Sequence, residues 1–315
     1  MSNARPLVSV ITPTYNGARY LAETIDSALA QDYPNLEIII AVDGSTDETG
    51  RLLEAYRGDR RVKALELPHR GENVARNAAI RASRGEYIAL LDHDDLWLPG
   101  KLSRQIPAIE ANPAAGLCHS AWERFGAESR PHVHRDSRAY HGRCFDRQFQ
   151  RNGVGALTAV LRRSALPPHL FHEDIQIAAD YALWLDVLFY HEAIYIPEIL
   201  ARHRVHPGQI TWGRRERWKF YEAVSRIRLL ERVRDELPPE RYDELRAWTI
   251  EQLRESTYER RSAGDAGWAA LGFYLLRKYG CPAPFRDAAA TWLRSQIDRL
   301  RGKDATERRY LQHPA

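Results

Sequence analysis

Apolar and polar positions alternate with two different periods over the first hundred residues. "LVSVIT" (7–12), "LEIIIAV" (36–42), "VKALEL" (62–67) and "YIALL" (87–91) are short apolar runs rich in β-branched residues. Runs of that length and composition predict strands. Between them, residues 18–31, 46–56 and 72–83 carry apolar side chains three and four positions apart, the spacing of a helix face. Ser45 or Thr46 is the expected N-cap of the second helix, and Arg84-Gly85 ends the third. Strict strand–helix alternation predicts a parallel sheet covered by helices. Ligands of such sheets bind beyond the carboxyl ends of the strands. Three polar clusters fall at those ends: Thr12 to Gly17 ("TPTYNG"), Asp43-Gly44-Ser45, and Asp92-His93-Asp94-Asp95. They are expected to share one edge of the sheet.

After Pro113 the pattern changes. Residues 116–126 predict a strand, 129–143 a loop rich in Arg and His, and 155–166 a strand followed by a turn. Residues 180–191 predict a helix with Leu183, Trp184, Val187 and Leu188 on its apolar face, which puts Trp184 in the core. From about Trp212 the chain reads as almost wholly helical, interrupted at Pro238-Pro239. Trp218, Phe220, Trp248 and Trp268 predict a packed helical unit there. The expected division is a catalytic domain over 1–211 and a helical region over 212–315.

Charge narrows the function classes. The net charge of +4 arises from 46 basic and 42 acidic residues among 315, a mixed surface and no polycation for nucleic acid. Cys118, Cys144 and Cys281 are scattered without a CxxC pair, which argues against a disulfide or cysteine-zinc framework and for a reducing compartment. No signal-peptide core opens the chain, and no run of about 18 apolar residues predicts a membrane span.

The aspartate cluster raises a chemical question, because like charges so close together disfavour one another's ionisation. A hard divalent cation resolves it. Mg²⁺ or Mn²⁺ takes oxygen ligands, often one or two carboxylates, and leaves the other positions to water and substrate phosphates. The competing reading is that Asp94 and Asp95 cap the helix of "LPGKLSRQIPAIE". One carboxylate suffices for a cap, so capping leaves the remaining aspartates unexplained.

Four stretches, in order, resemble the inverting family 2 glycosyltransferases of the GT-A fold. They are "VSVITPTYNGARYLAETIDSALAQDYPNLEIIIAVDGSTDETG", "RGENVARNAAIRASRGEYIALLDHDDLWLPGKL", "ADYALWLDVL" and "RVHPGQIT". The resemblance runs over roughly two thirds of the chain. It implies an α/β fold with a mainly parallel central sheet and, here, an α-helical C-terminal extension. It also implies a nucleotide-diphosphate sugar donor, with UDP or dTDP favoured, and Mn²⁺ or Mg²⁺ as cofactor. By the same resemblance Pro13, Tyr15 and Asp43 hold the nucleotide base and ribose, and Arg76 lies near the nucleotide or its diphosphate. Asp92 and Asp94 match the DxD motif, Asp94 as metal ligand and Asp92 facing the ribose or donor sugar. His93 joins the donor contacts and Asp95 supports them. His206 matches a histidine near the diphosphate and is an expected metal ligand, with Arg204 adding charge for the phosphates. Asp180 falls where the family places the general base, although Ala179 stands in place of the usual Glu. Glu173 and Asp174 are a second candidate pair. An N-cap on the helix of 180–191 is the alternative role for Asp180.

The implied acceptor is a hydroxyl of a glycan or a lipid-linked sugar, as in bacterial surface polysaccharide synthesis. A cytoplasmic enzyme follows, peripheral at the inner face of the membrane if its acceptor is lipid-linked. The C-terminal helices are candidates for acceptor recognition, a homodimer or a membrane surface. Two rivals stand beside this reading. A nucleotide-sugar-binding module or inactive member is suggested by Ala179. A nucleotidyltransferase would favour a Gly-rich phosphate loop, which "TPTYNGARY" lacks.

Overall fold

Strands β1 (Val8–Thr14), β2 (Leu36–Asp43), β3 (Val62–Leu67) and β4 (Tyr87–Leu90) run parallel in the order β3-β2-β1-β4. The computed structural model describes residues 5–127, 139–175, 177–209 and 215–279. Every residue of β1, β2 and β4 is buried, whereas β3, at the sheet edge, alternates between half-buried and exposed. A strand covered on both faces reads as a nearly continuous apolar run, which is why the first two were plain in the sequence. Helices α1 (Leu21–Leu29), α2 (Thr49–Glu54) and α3 (Glu72–Ala82) link them. The chain moves outward from β1 to β3, then returns to place β4 on the other side of β1. That reversal between β1 and β4 is the switch point at which open sheets form a ligand crevice.

The remaining strands extend the same sheet. A two-residue strand β5 (Leu96–Trp97) follows the aspartates, then α4 (Lys101–Glu110) and the long β6 (Ala115–Gly126). After α5 (Phe145–Gln150) come β7 (Val160–Arg162), α6 (Ala179–Tyr190) and the fourteen-residue β8 (Glu192–Val205). The sheet is completed as β4-β7-β6-β8-β5, with β7 antiparallel to both neighbours and β8 parallel to β6. β5 pairs antiparallel with β8, Leu96 opposite Arg202. The sequence signalled neither β5 nor β8. β8 has half-buried and exposed residues through its centre, so it lacks the continuous apolar run that betrays an internal strand. Of the strand expected over 155–166, only Val160–Arg162 forms, flanked by short 3₁₀ turns.

Two helix starts differ from expectation. α2 begins at Thr49, and neither Ser45 nor Thr46 caps it. Asp47 instead accepts from the Thr49 N–H at 3.1 Å and the Thr49 hydroxyl at 2.5 Å. α4 follows Gly100, which is left-handed, and has no side-chain cap, so Asp94 and Asp95 are not capping residues. Trp184 is fully buried in α6, as its spacing requires. The expected loop over 129–143 lies largely outside the described residues, as do Trp212 and Cys281.

Between β5 and α4 the core encloses an amine. Lys101 is wholly buried, donates to Gln105 Oε1 at 2.6 Å and sits 4.3 Å above the Trp97 ring. Gln105 is tied in turn to the carbonyls of Thr158 and Cys118. Burial pushes the Lys101 amine down to about 7 from 10.5. The unfolded chain therefore holds a proton up to pH 10.5 that the folded chain releases near 7, and stability rises with pH across that window. Lys101→Met is expected to raise stability by about 1–4 kcal/mol at pH 7. The gain shrinks as pH approaches 10.5, as thermal melts across the range would show.

The chain divides into two compact units, Met1–Gln209 and Ile210–Ala315. In the second, α7 (Arg215–Arg232), α8 (Pro239–Ser262) and α9 (Ala266–Lys278) pack in succession. Phe220 and Tyr221 of α7 meet Trp268 of α9 at 5.1 and 5.2 Å, and Arg226 lies over Trp248 at 4.8 Å. Trp218 is 39% exposed and stands outside that cluster.

Candidate active site

The loops after β1 and β2 hold each other. Asn16, left-handed at φ 49°, accepts the N–H groups of Thr46 (2.8 Å) and Asp47 (3.3 Å) on its side-chain oxygen, and its own N–H donates to Ser45 Oγ at 3.0 Å. The N–H of Gly17 donates to Thr49 Oγ1, and that of Ala18 to Asp47 Oδ2. Gly17 has no room for a side chain. A Cβ there would stand 2.2 Å from Thr14 Oγ1 and 2.9 Å from the His93 ring. The loop after β1 is thereby pressed against the loop after β4.

Asp43 ends β2 and is 3% exposed. Its carboxylate accepts the backbone N–H groups of Arg70 (2.8 Å) and Gly71 (2.9 Å). His69 Nδ1 lies 2.9 Å from the Asp43 carbonyl oxygen, and the His69 ring stacks on Tyr15 with centroids 4.1 Å apart. Tyr15 presents an aromatic surface that is 45% exposed beside this anchored carboxylate. Pro13 stays within the buried β1. The Thr14 hydroxyl is buried without a hydrogen-bond partner.

Arg76 is the centre of charge. It is 5% exposed although it lies on a helix at the sheet surface. Its Nη2 donates to Asp92 Oδ1 at 2.7 Å and to Glu72, its Nη1 donates to Asn73 at 3.1 Å, and Phe171 lies under the guanidinium at 4.9 Å. Its Nε is buried and unpartnered. Burial opposes its charge, yet Glu72 and Asp92 hold the guanidinium still more firmly protonated than usual. The Glu72 carboxyl is raised by burial, with Arg76 working against the rise.

The three aspartates separate into three environments. Asp92 faces Arg76. Asp94 Oδ2 lies 2.9 Å from His206 Nε2. Asp95, 2% exposed, accepts the Arg204 N–H at 2.9 Å and meets His203 Nδ1 at 3.0 Å. Burial disfavours a charged His203, but Asp95, with Asp94 and Asp92 behind it, pushes the imidazole up to about 8. Arg204 donates through Nε to the Asp94 carbonyl at 2.8 Å and through Nη2 to Glu23 at 2.8 Å, and it lies over the Tyr20 and Phe125 rings. Its guanidinium is thus already engaged in the turn. Pairing of β5 with β8 carries these residues to the aspartates across more than a hundred positions of chain.

Asp180 occupies the second position of α6, inside the helix, with left-handed Ala178 (φ 59°) ahead of it. It is therefore not the N-cap. Among the described residues its Oδ1 accepts one hydrogen bond, from its own neighbour's N–H, that of Tyr181, at 2.8 Å. Burial pushes the carboxyl up to about 6, Tyr181 N–H and Arg76 counteract, and Asp92 and Glu72 add to the rise. Asp180 therefore senses the same charges that surround Arg76. Glu173 and Asp174 are exposed, and Glu173 accepts from Asn77 at 3.2 Å. Asn77 and Asn73 fix the segment 171–175 to α3. Asn77 exchanges both hydrogen bonds with Phe171, and Asn73 donates to the carbonyls of His172 and Ile175.

Several participants escaped the sequence reading. Glu72 had a local signal, since it precedes Arg76 by one helical turn. His69, Asn16, Asn73 and Asn77 had none, because their roles depend on contacts with remote backbone.

Asp94 and His206, both mostly buried, offer a carboxylate oxygen and an imidazole nitrogen side by side. That pair suits Mn²⁺, with the other positions left to a ligand's phosphates and water. Known sequences and structures bear on the family and the fold. The glycosyl transferase family 2 profile matches residues 9–167. A Bacillus subtilis protein named "Putative teichuronic acid biosynthesis glycosyltransferase TuaG" is 30% identical over 237 residues, 73% of this chain and 93% of that one. The chain belongs to glycosyl transferase family 2.

Another relative of this family 2 glycosyltransferase is the Escherichia coli UDP-Glc:alpha-D-GlcNAc-diphosphoundecaprenol beta-1,3-glucosyltransferase WfgD, 33% identical over 58% of this chain and 70% of that one. Among solved structures, Staphylococcus aureus TarS 1–349 with UDP-GlcNAc superposes with a TM-score of 0.64 at 18% identity, covering 85% of this chain and 79% of that one. The Pyrobaculum calidifontis mannosyltransferase PcManGT with GDP-Man and Mn²⁺ gives 0.55 at 22%, covering 96% and 89%. The family 2 enzyme has the GT-A fold, extended by C-terminal helices. Among its described residues no helix is long and apolar enough to cross a membrane.

Proposed function

We propose that this glycosyltransferase moves a sugar, with inversion, from a UDP- or dTDP-linked donor to a hydroxyl of a glycan or lipid-linked acceptor in bacterial surface polysaccharide synthesis. The observation that supports the reading is the Arg76–Asp92 hydrogen bond at 2.7 Å together with the pull of that same guanidinium on the Asp180 carboxyl, as expected if the candidate base shares a site with the aspartate cluster. The named activities of the relatives support the donor and acceptor classes.

In this reading Tyr15 and Asp43 receive the base and ribose, and the unpartnered Arg76 Nε and Thr14 hydroxyl face polar donor groups. His93 and Asp92 line the donor side. Asp94 and His206 would hold Mn²⁺ or Mg²⁺, whose chemistry there is to neutralise the departing diphosphate. Asp95 and Arg204 keep the Asp94 turn in place. Asp180 removes the proton of the acceptor hydroxyl as it attacks the anomeric carbon from the side opposite the diphosphate.

Thermal melts with UDP, dTDP and GDP, each with and without Mn²⁺, test the donor assignment. UDP or dTDP with Mn²⁺ is expected to stabilise the protein, by about 2.7 kcal/mol at a hundredfold excess over Kd. No shift with any nucleoside diphosphate would remove the donor site from this reading.

A further inference from the structure

Helix α6 carries a second carboxylate that sugar transfer does not use. Asp186 is 4% exposed, in a helix whose neighbouring residues from Tyr181 to Leu188 are apolar and buried. A carboxylate in such surroundings is costly unless it is matched by opposite charge. Two imidazoles stand against it. His169 Nε2 lies 2.7 Å from Asp186 Oδ2, and the His172 ring stacks on that of His169 with centroids 4.5 Å apart. One ligating atom from each of the three residues lies within 4.8 Å of the others, and this is the only such set of three among the described residues.

The surrounding chain fixes this cluster from the opposite side. Leu170, left-handed at φ 59°, turns the backbone between the two histidines. Phe171 is held by both hydrogen bonds of Asn77 and packs under Arg76, while the His172 carbonyl accepts from Asn73. The backbone is thus clamped to α3 while the His169 imidazole pairs with Asp186 on α6 and the His172 ring stacks on it. The three ligating atoms are close enough together for one ion to be shared among them. Two imidazoles and one carboxylate form a donor set that suits Zn²⁺ and not the all-oxygen preference of Mg²⁺ or Ca²⁺.

We propose that His169, His172 and Asp186 bind a Zn²⁺-class transition metal, at a site distinct from Asp94 and His206. Binding replaces the His169–Asp186 hydrogen bond, requires neutral imidazoles, and leaves a fourth position for water. His169, about 30% exposed, gives the ion access from solvent. The bound ion ties the segment around His172 to the helix that begins beside Asp180. This inference does not depend on the identity of the sugar donor.

The test uses the full chain, stripped by chelator and titrated with Co²⁺ as a spectroscopic stand-in for Zn²⁺. One equivalent is expected to give the visible absorption of four-coordinate Co²⁺, displaced by Zn²⁺. Asp94→Asn should retain that band. His172→Ala, which keeps the His169–Asp186 hydrogen bond, should weaken binding more than about 100-fold, beyond the loss caused by removing an outer partner. Circular dichroism checks that the variant is folded, and His172→Cys, which restores a ligand, should recover binding. Absence of the band in the wild-type protein, or a band lost in Asp94→Asn and kept in His172→Ala, would reduce the cluster to a hydrogen-bonded His–Asp pair.

Discussion

Asp180→Asn is expected to lower kcat about 10³-fold while donor binding changes little, because the amide preserves shape and cannot accept the hydroxyl's proton. The pH profile gives the prediction a second readout. With its carboxyl pushed up to about 6, Asp180 is protonated and idle in acid. We expect kcat/KM to rise about tenfold per pH unit below 6 and to level off above it. The rising limb should vanish in the variant's residual activity. Stability moves in the opposite sense. The folded chain keeps a proton on Asp180 up to about pH 6, whereas the unfolded chain releases it near 3.8. The folded state therefore loses stability as pH rises through that window. Asp180→Asn removes this loss and should melt higher at pH 7, by the equivalent of about 1–3 kcal/mol after discounting for partial exposure. A variant with full activity would transfer the base to Glu173 or Asp174, whereas a wild-type protein without transfer or donor hydrolysis would support the binding-module reading that Ala179 suggests.

Asp94→Asn should be at least as damaging to turnover, with a different signature. Replacing the carboxylate by an amide removes the anionic ligand from the proposed ion site and leaves His206 facing an uncharged group in place of its 2.9 Å carboxylate partner. We expect loss of about 10³-fold in kcat/KM and loss of the Mn²⁺-dependent part of nucleotide stabilisation. Chelation of the wild-type protein should reproduce both effects, and added Mn²⁺ should reverse them. His206→Ala should fall between, since it retains the charged ligand. Isothermal titration of UDP with and without Mn²⁺ distinguishes these outcomes. Nucleotide binding that is equally tight in wild type, variant and chelated protein would show that Asp94 holds no ion bridging to the donor.

The strands β1, β2 and β4 and the placement of polar clusters at their ends were legible, because strands buried on both faces are mainly apolar and loops that meet ligands are not. Which side chain each aspartate faces was legible only in part. Asp92, Asp94 and Asp95 are nearly identical as letters. One faces an arginine on α3, one a histidine beyond β8 and one a half-buried histidine within β8. Capping was misread for a related reason: which polar side chain reaches a free N–H depends on the turn taken before the helix, and Asp47 rather than Ser45 or Thr46 occupies that place.

The amino-acid order by itself determined the alternation of strand and helix, the parallel sheet and the edge on which polar groups collect, since these follow from local periodicity and the need to bury apolar faces. The tertiary structure decided which charges meet. The antiparallel pairing of β5 with β8 brings His203, Arg204 and His206 to the aspartates, and the asparagines of α3 bring the segment before α6 to Arg76. Electrostatic partners are selected by distance in space, and no period along the chain encodes a contact formed across a hundred residues.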